Sequence, residues 1–473
     1  MVMGFNQRWV GSPEYVQVCG DTDQVVKTVQ QAVDAGQRVT VRCGGHCYED
    51  FVCDNQAGVI IDLSPMDGVY EVEPDVYCVE GGATLWNVYN ELYRKYGVTL
   101  PGGSCYSVGV GGHVTGGGYG LLSRLHGLTI DYLYAVEVVV VDQAGTAQAI
   151  TVSADSKGAD ERDLLWATQG GGGGSFGIVT KFLFRDAPAA PSTAWLLSQT
   201  WDWNALGHEG VGTLIKGYGE FLKANSQPGS ELAGLFSLLH LFQNTAGSPG
   251  IALTMQYVGT QPKLLGETVD LIGAPAGARA APVRIGAHQA SLVTGSATSM
   301  PWLFATQTLN GSGPDRRGKY KSAYMVDVFP DNQIEALLTH LGEPSNPNPA
   351  ALLQVDSYGC QVNAVQPSAT AIPQRSSIMK LQYQTYWNQA GEDGPNIEWI
   401  AGFYEAMYGA QGPRPDATMD GCYVNYPDVD LHDWEYLYYK DGYPRLQRAK
   451  ARWDPNDVFH HQQSVSLPGQ KEA

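Results

Sequence analysis

The chain has 473 residues, room for about two to four domains at roughly 150 residues each. Its 48 acidic residues against 29 basic ones leave a net charge of −19, which excludes nucleic acid or an anionic membrane as the main partner, since both need a basic face. Hydrophobic residues at 43% exclude wholesale disorder, and 57 glycines mark many places where backbone turns tightly or approaches something closely.

Met1 to Arg8 lack a basic segment followed by an apolar stretch, so a cytoplasmic protein is expected rather than a secreted one. No stretch approaches the roughly 20 consecutive apolar residues of a membrane helix. The cysteines at 19, 43, 47, 53, 78, 105, 360 and 422 are few for the length, and Cys43 and Cys47 lack a paired partner motif. Neither a disulfide scaffold nor a metal is expected. Asp21 to Ala35 reads as a helix, because Val25, Val26, Val29, Ala32 and Val33 recur at helical spacing and Gly36 can end it. Arg38 to Arg42 and Gly58 to Leu63 read as strands. Leu85 to Tyr96 is an amphipathic helix closed by Gly97, and Ala135 to Val141 is a buried strand ending in a turn.

Ala187 to Pro191 reads as a boundary, giving a first part over 1–187, a second region over 188–414 and a return over 415–473. The second region mixes strands and helices with Gly/Pro-rich loops near 272–278 and 344–349. Arg316, Arg317, Lys319 and Lys321 read there as a solvated basic loop.

Three glycine clusters stand out. Arg42-Cys43-Gly44-Gly45-His46 follows a strand; it is either a backbone nest for an anion or only a turn. Pro101 to Gly120 holds nine glycines with Cys105, His113 and Tyr119 among them, a density that suits backbone pressed against a large flat ligand. Gln169 to Thr180 puts Gly170 to Gly174 ahead of Phe176-Gly177-Ile178-Val179, which is either another close approach or a linker.

Together these motifs resemble flavin oxidases of the vanillyl-alcohol-oxidase superfamily, in its berberine-bridge-enzyme-like branch. The resemblance covers essentially the whole chain and is strongest to members carrying FAD through two covalent bonds. Arg-x-Gly-Gly-His matches the histidyl attachment motif and implies His46 on the flavin 8α-methyl. Pro-Gly-Gly-Ser-Cys-x-x-Val-Gly-x-Gly-Gly-His matches the cysteinyl motif and implies Cys105 on flavin C6. By the same resemblance Arg42, Cys43, Gly44, Gly45, Gly103, Ser104, Gly109, Gly111, Gly112, Gly116, Gly177, Ile178 and Val179 line the cofactor. Trp453-Asp454-Pro455 through Phe459, then Gln463-Ser464-Val465, resembles the C-terminal signature.

The family motif Tyr-x-Asn-Tyr reads Tyr423-Val424-Asn425-Tyr426, so the resemblance implies Tyr426 as the base that takes the substrate O–H proton while a hydride goes to flavin N5. Tyr423 and Asn425 are expected beside the cofactor. A free phenol has a pKa of about 10, so the base needs help near neutrality. Tyr119 is expected to help it through a shared hydrogen bond or to hold the substrate. His113 is expected to reach the reduced flavin near N1 as a positive or donating group. Tyr358, Gln361, Gln382 and Gln384 are expected to face substrate hydroxyls from a sheet. Trp201, Trp203, Trp302 and Trp387 read as core residues, with stacking on a sugar ring as the alternative.

The expected fold is α+β: a two-part FAD-binding domain of the vanillyl-alcohol-oxidase type plus a substrate domain with an antiparallel sheet covered by helices. The expected activity is oxidation of an alcohol, a sugar hydroxyl on an oligosaccharide or glycosylated natural product, with O2 as acceptor and H2O2 as product. The partners are then a small sugar or glycosylated substrate and O2, in a monomer or homodimer. The alternatives are a non-sugar alcohol, oxidative ring closure on an amine, or a flavin-free carbohydrate-binding protein.

Overall fold

The computed structural model describes residues 2–276, 281–282, 297–309, 311 and 313–469. The expected loop near 272–278 lies partly outside these residues. Sixteen strands make three sheets among the described residues. The first sheet holds β1 (Tyr15–Val18), β2 (Val39–Arg42) and β3 (Val59–Asp62), with β3 central and parallel to both neighbours. The second is antiparallel and holds β4 (Val69–Glu73), β5 (Val76–Glu80), β6 (Leu133–Val141), β7 (Ala147–Ser153) and β8 (Ile178–Arg185).

The third sheet uses only later residues: β9 (Thr193–Trp201), β10 (Leu235–Phe242), β11 (Ile251–Tyr257), β12 (Ala281–Pro282), β13 (Thr298–Pro301), β14 (Arg317–Met325), β15 (Leu352–Ser357) and β16 (Met379–Trp387). Its order is β12-β9-β11-β10-β15-β16-β14, with β13 also on β9, and every pairing is antiparallel. Helices Trp203–Asn225 and Asp393–Tyr408 bury Leu214, Tyr218, Ile400 and Phe403 in the same core as this sheet. The architecture is α+β in two parts, as the sequence implies.

Local rules explain the early elements. Helix α1 (Thr22–Asp34) starts because the Asp21 side chain accepts the Gln24 N–H. Its Val25, Val29 and Ala32 pack with Val59, Ile61, Val139 and Val141 between the first two sheets. Helix α2 (Leu85–Tyr96) has a Thr84–Asn87 capping box and ends on Gly97 at φ 71°, a left-handed C-cap that suits glycine. The residues after 415 fold back onto the first part. Trp453 Nε1 donates to the Asp160 carbonyl at 3.1 Å, and the Tyr439 hydroxyl to that of Gly171 at 2.9 Å.

The basic cluster is not a solvated loop. Lys319 and Lys321 sit inside strand β14 and are buried. Lys319 meets Glu49, Asp428 and Asp430 at 2.6–3.0 Å, and Lys321 meets Asp428 and Asp430 at 2.7 and 3.2 Å. A buried ammonium needs paired carboxylates, and these come from distant segments that the local text does not reveal. Trp201, Trp203, Trp302 and Trp387 are buried core residues.

Candidate active site

The three glycine clusters converge on one cavity of about 570 Å³. Its near wall includes Arg42 to Cys47, Gly103 to Cys105, Gly109, Gly111 to His113 and Gly172 to Val179. Several glycines are needed because backbone meets backbone. A Cβ on Gly44 would stand 2.4 Å from the Gly109 nitrogen, and one on Gly120 would stand 1.8 Å from the Gly102 oxygen. The loop after β2 is thereby docked onto the loop leading into helix α3 (Val110–Thr115).

His46 stacks on Phe5 with centroids 4.8 Å apart, and its Nε2 lies 3.0 Å from the Ser107 hydroxyl. Ser107 follows Cys105 by two residues, so the loops bearing His46 and Cys105 are held side by side. Burial pushes His46 down to about 4, outweighing the attraction of Asp315, so the ring is neutral near pH 7.

The far wall is the third sheet. Phe236, Leu238, His240, Gln354, Asp356, Gln382, Gln384 and Tyr386 face the cavity from β10, β15 and β16. Tyr426 stands between the walls. The Lys380 ammonium donates to its hydroxyl at 2.9 Å and pairs with Asp356 at 2.6 Å. Lys380 also lies 4.3–5.4 Å from the ring centres of Tyr426, Tyr119 and Tyr423. Burial raises the Tyr426 phenol well above its ordinary value, and nearby Asp356 adds to the shift. Lys380 is the opposing charge that favours the phenolate.

The chain matches the FAD binding domain family over residues 13–150 and the berberine and berberine like family over 422–466. It is 41% identical to the aclacinomycin-N/aclacinomycin-A oxidase of Streptomyces galilaeus, covering 98% of this chain and 87% of that protein. The protein belongs to the berberine-bridge-enzyme-like family. It is an FAD-linked oxidoreductase. Among solved structures it resembles a glycopeptide hexose oxidase complexed with teicoplanin, with TM-score 0.90, 36% identity and coverage of 98% and 96%. It also resembles the glucooligosaccharide oxidase of Acremonium strictum that carries a 6-S-cysteinyl, 8α-N1-histidyl FAD, with TM-score 0.82, 25% identity and coverage of 98% and 94%.

The cavity fits FAD. Gly112 lines it, and a Cβ there would meet no atom within 4 Å beyond its chain neighbours and its own helix backbone, so the space before it is the cavity itself. Gly177, at φ 152°, leaves room for the Val139 carbonyl that a Cβ would strike at 2.4 Å. Ile178, Val179, Tyr423 and Asn425 also line the cavity.

The other expected residues divide. Gly116 does not line the cavity: its α-carbon makes room for the Asn425 side chain, 2.0 Å from a built Cβ. Asn425 in turn donates to the His113 carbonyl at 2.9 Å. His113 is neutral rather than cationic. Burial, with Lys380 adding to it, lowers the ring to about 4, and Nε2 accepts the Gly103 N–H at 3.2 Å.

Tyr119 does not share a hydrogen bond with Tyr426. Its hydroxyl donates to the Ser357 carbonyl, and Lys380 occupies the place expected of it. Gln382 and Gln384 line the cavity, whereas Tyr358 and Gln361 do not. The Tyr358 hydroxyl is turned to the Gln374 carbonyl at 3.1 Å, and Gln361 is exposed on the short 3-10 helix Cys360–Ala364 past the end of β15. Lys380 and Asp356 are absent from the expected set. The signal was alternation: residues 380, 382, 384 and 386 share one face of a strand.

Proposed function

We propose that the protein oxidises a sugar hydroxyl, on a free saccharide or a glycosylated natural product, with O2 as acceptor and H2O2 as product. The cofactor in this reading is FAD tethered at His46 and Cys105. The carrying observation is one cavity with the His46 and Cys105 loops on one wall and the Lys380–Tyr426 pair on a polar sheet opposite. FAD, when bound, supplies the acceptor for the hydride that leaves the carbinol carbon.

Tyr426 takes the hydroxyl proton, and Lys380 stabilises the phenolate that must exist for it to do so. His113, neutral and held by Gly103, keeps a single Nδ1–H donor for the cofactor. The sheet wall suits a neutral polyhydroxylated ligand. Gln382 and Gln384 offer uncharged donors and acceptors, while Phe236 and Leu238 offer apolar surface for a ring face or an aglycone. The names of the aclacinomycin and glycopeptide hexose oxidases support this substrate class. Residues 1–187 and 415–473 serve the cofactor in this reading, and 188–414 the substrate.

The test is an H2O2-coupled screen with D-glucose, D-galactose, cellobiose and an anthracycline glycoside, beside benzyl alcohol and a benzylisoquinoline amine. Peroxide from a sugar or glycoside is expected. Turnover confined to benzyl alcohol or the amine would overturn the reading.

A further inference from the structure

Beyond Lys380, a directional hydrogen-bond chain crosses the cavity wall. The Tyr386 hydroxyl donates to Gln384 Oε1 at 2.7 Å. Gln384 Nε2 donates to Gln354 Oε1 at 3.3 Å, and His240 Nε2 lies 3.0 Å from the same oxygen. Gln354 Nε2 donates to Asp356 Oδ1 at 2.7 Å. Lys380 takes the other carboxylate oxygen, Oδ2, at 2.6 Å and reaches the Tyr426 hydroxyl at 2.9 Å.

The chain has a single sense. A flipped Gln354 amide would turn its oxygen onto a carboxylate oxygen at 2.7 Å, which is repulsive. The Gln354 oxygen therefore faces His240, which must carry its proton on Nε2. Gln384 also donates to that oxygen and is itself oriented by Tyr386.

The consequence lies at Asp356. A carboxylate that accepts an amide N–H holds part of its charge in that bond, and so draws less on the ammonium beside it. We propose that Gln354 is a positioning residue: its amide, locked by His240 and Gln384, shares the Asp356 charge and leaves Lys380 free to stabilise the Tyr426 phenolate. This rests on Tyr426 being the base. Among the described residues, the ionisable groups facing Tyr426 are Tyr48 and Cys105 from the cofactor-side loops, Tyr324 from β14, Asp356 from β15, Lys380 and Tyr386 from β16, and Tyr423 from its own loop. Gln354 touches this set through Asp356.

Gln354→Met keeps the length and removes the donor. It is expected to move the low-pH limb of kcat upward by about one pH unit, with KM changed little. His240→Phe, which frees the amide to turn, is expected to move the limb the same way by less. His240→Gln, which still donates, is expected to restore it. The profile is read with the best-oxidised compound of the screen above. A reading without substrate is the tyrosinate difference spectrum of each variant against its own Tyr426→Phe counterpart. That spectrum should show Tyr426 ionising at higher pH in Gln354→Met.

A rise in KM alone, with the limb and the Tyr426 ionisation unmoved, would make Gln354 a substrate holder and overturn the proposal. Full turnover in Tyr426→Phe would overturn the base itself. An inactive Tyr426→Phe beside an unmoved Gln354→Met limb would overturn only the role of Gln354.

Discussion

Burial makes the Tyr426 phenol harder to ionise, and Lys380 is the cation set against that cost. Tyr426→Phe is expected to keep its flavin and lose about 10²–10⁴-fold in kcat, the usual worth of a placed acid or base. Steady-state turnover and flavin absorbance check this together. Lys380→Met does two things at once. It removes the phenolate's partner and leaves Asp356, with 4% of its side chain exposed, without a cation. Breaking such a buried pair costs about 3–5 kcal/mol. Adding Asp356→Leu removes the orphaned charge. The melting temperature is expected to fall in the single variant and recover in the double, while turnover stays low in both. Turnover recovering in the double would show that Lys380 serves only to neutralise Asp356.

The place of Tyr426 at the cavity was legible in the sequence because its motif is local. Alternation with Gln382 and Gln384 could have put Lys380 on the same strand face, but its pairing with Asp356 follows from the register of β15 on β16, which no local pattern states.

At the scale of elements, the glycine clusters serve two purposes that their density in the text does not separate. Gly44 and Gly120 admit neighbouring backbone, whereas Gly112 fronts the cavity. Gly120→Ala is expected to destabilise the apoprotein by about 1–3 kcal/mol or more, because overpacking moves backbone. Gly112→Ala is expected to leave apoprotein stability nearly unchanged and to reduce flavin incorporation. Chemical denaturation of apoprotein and the flavin-to-protein absorbance ratio separate the two. Equal loss of stability in both would contradict the assignment of Gly112 to the cofactor wall. Helices α1 and α2 and strands β2, β3 and β6 were legible since caps and periodicity are local rules, as Asp21 and Gly97 show, whereas β1, β4, β5 and β7 carried no such signal. The place of Lys319 and Lys321 was not, because their carboxylate partners lie far off in sequence.

Over the whole molecule, the Lys319–Lys321 cluster joins the loop after His46, the third sheet and the segment after Tyr426. Lys319→Met would strand the buried Glu49 and leave Asp428 with Lys321 alone, and is expected to cost about 3–5 kcal/mol. A melting temperature within a degree or two of the parent would contradict a stabilising role for the cluster.

Titration acts on the same scale. His113 is lowered from about 6.5 to about 4 by burial, with Lys380 adding to the shift. Between those values the unfolded chain binds the proton that the folded chain refuses, so stability falls as pH drops from about 6.5 toward 4. Asp430 adds a second loss at lower pH. Burial raises it, yet Lys319 and Lys321 hold it at about 2, so its contribution fades as pH falls from the ordinary carboxylate range toward that value. Thermal melts from pH 7 to 4 are expected to show the first decline, to which His46 and His461, lowered alike by burial to about 4, also contribute, and His113→Gln is expected to lessen it. An equal slope in that variant would remove His113 as a cause.

Under the proposed function, the side chains of His46 and Cys105, from separate loops, hold one flavin over the Tyr426 side of the cleft. The direct measurement is the intact mass of acid-precipitated protein followed by mapping of its tryptic flavopeptides. The expected result is a chain heavier by one FAD, with the peptides of His46 and Cys105 joined through it. A chain at its bare mass after incubation with FAD, or a flavin attached to neither residue, would contradict it.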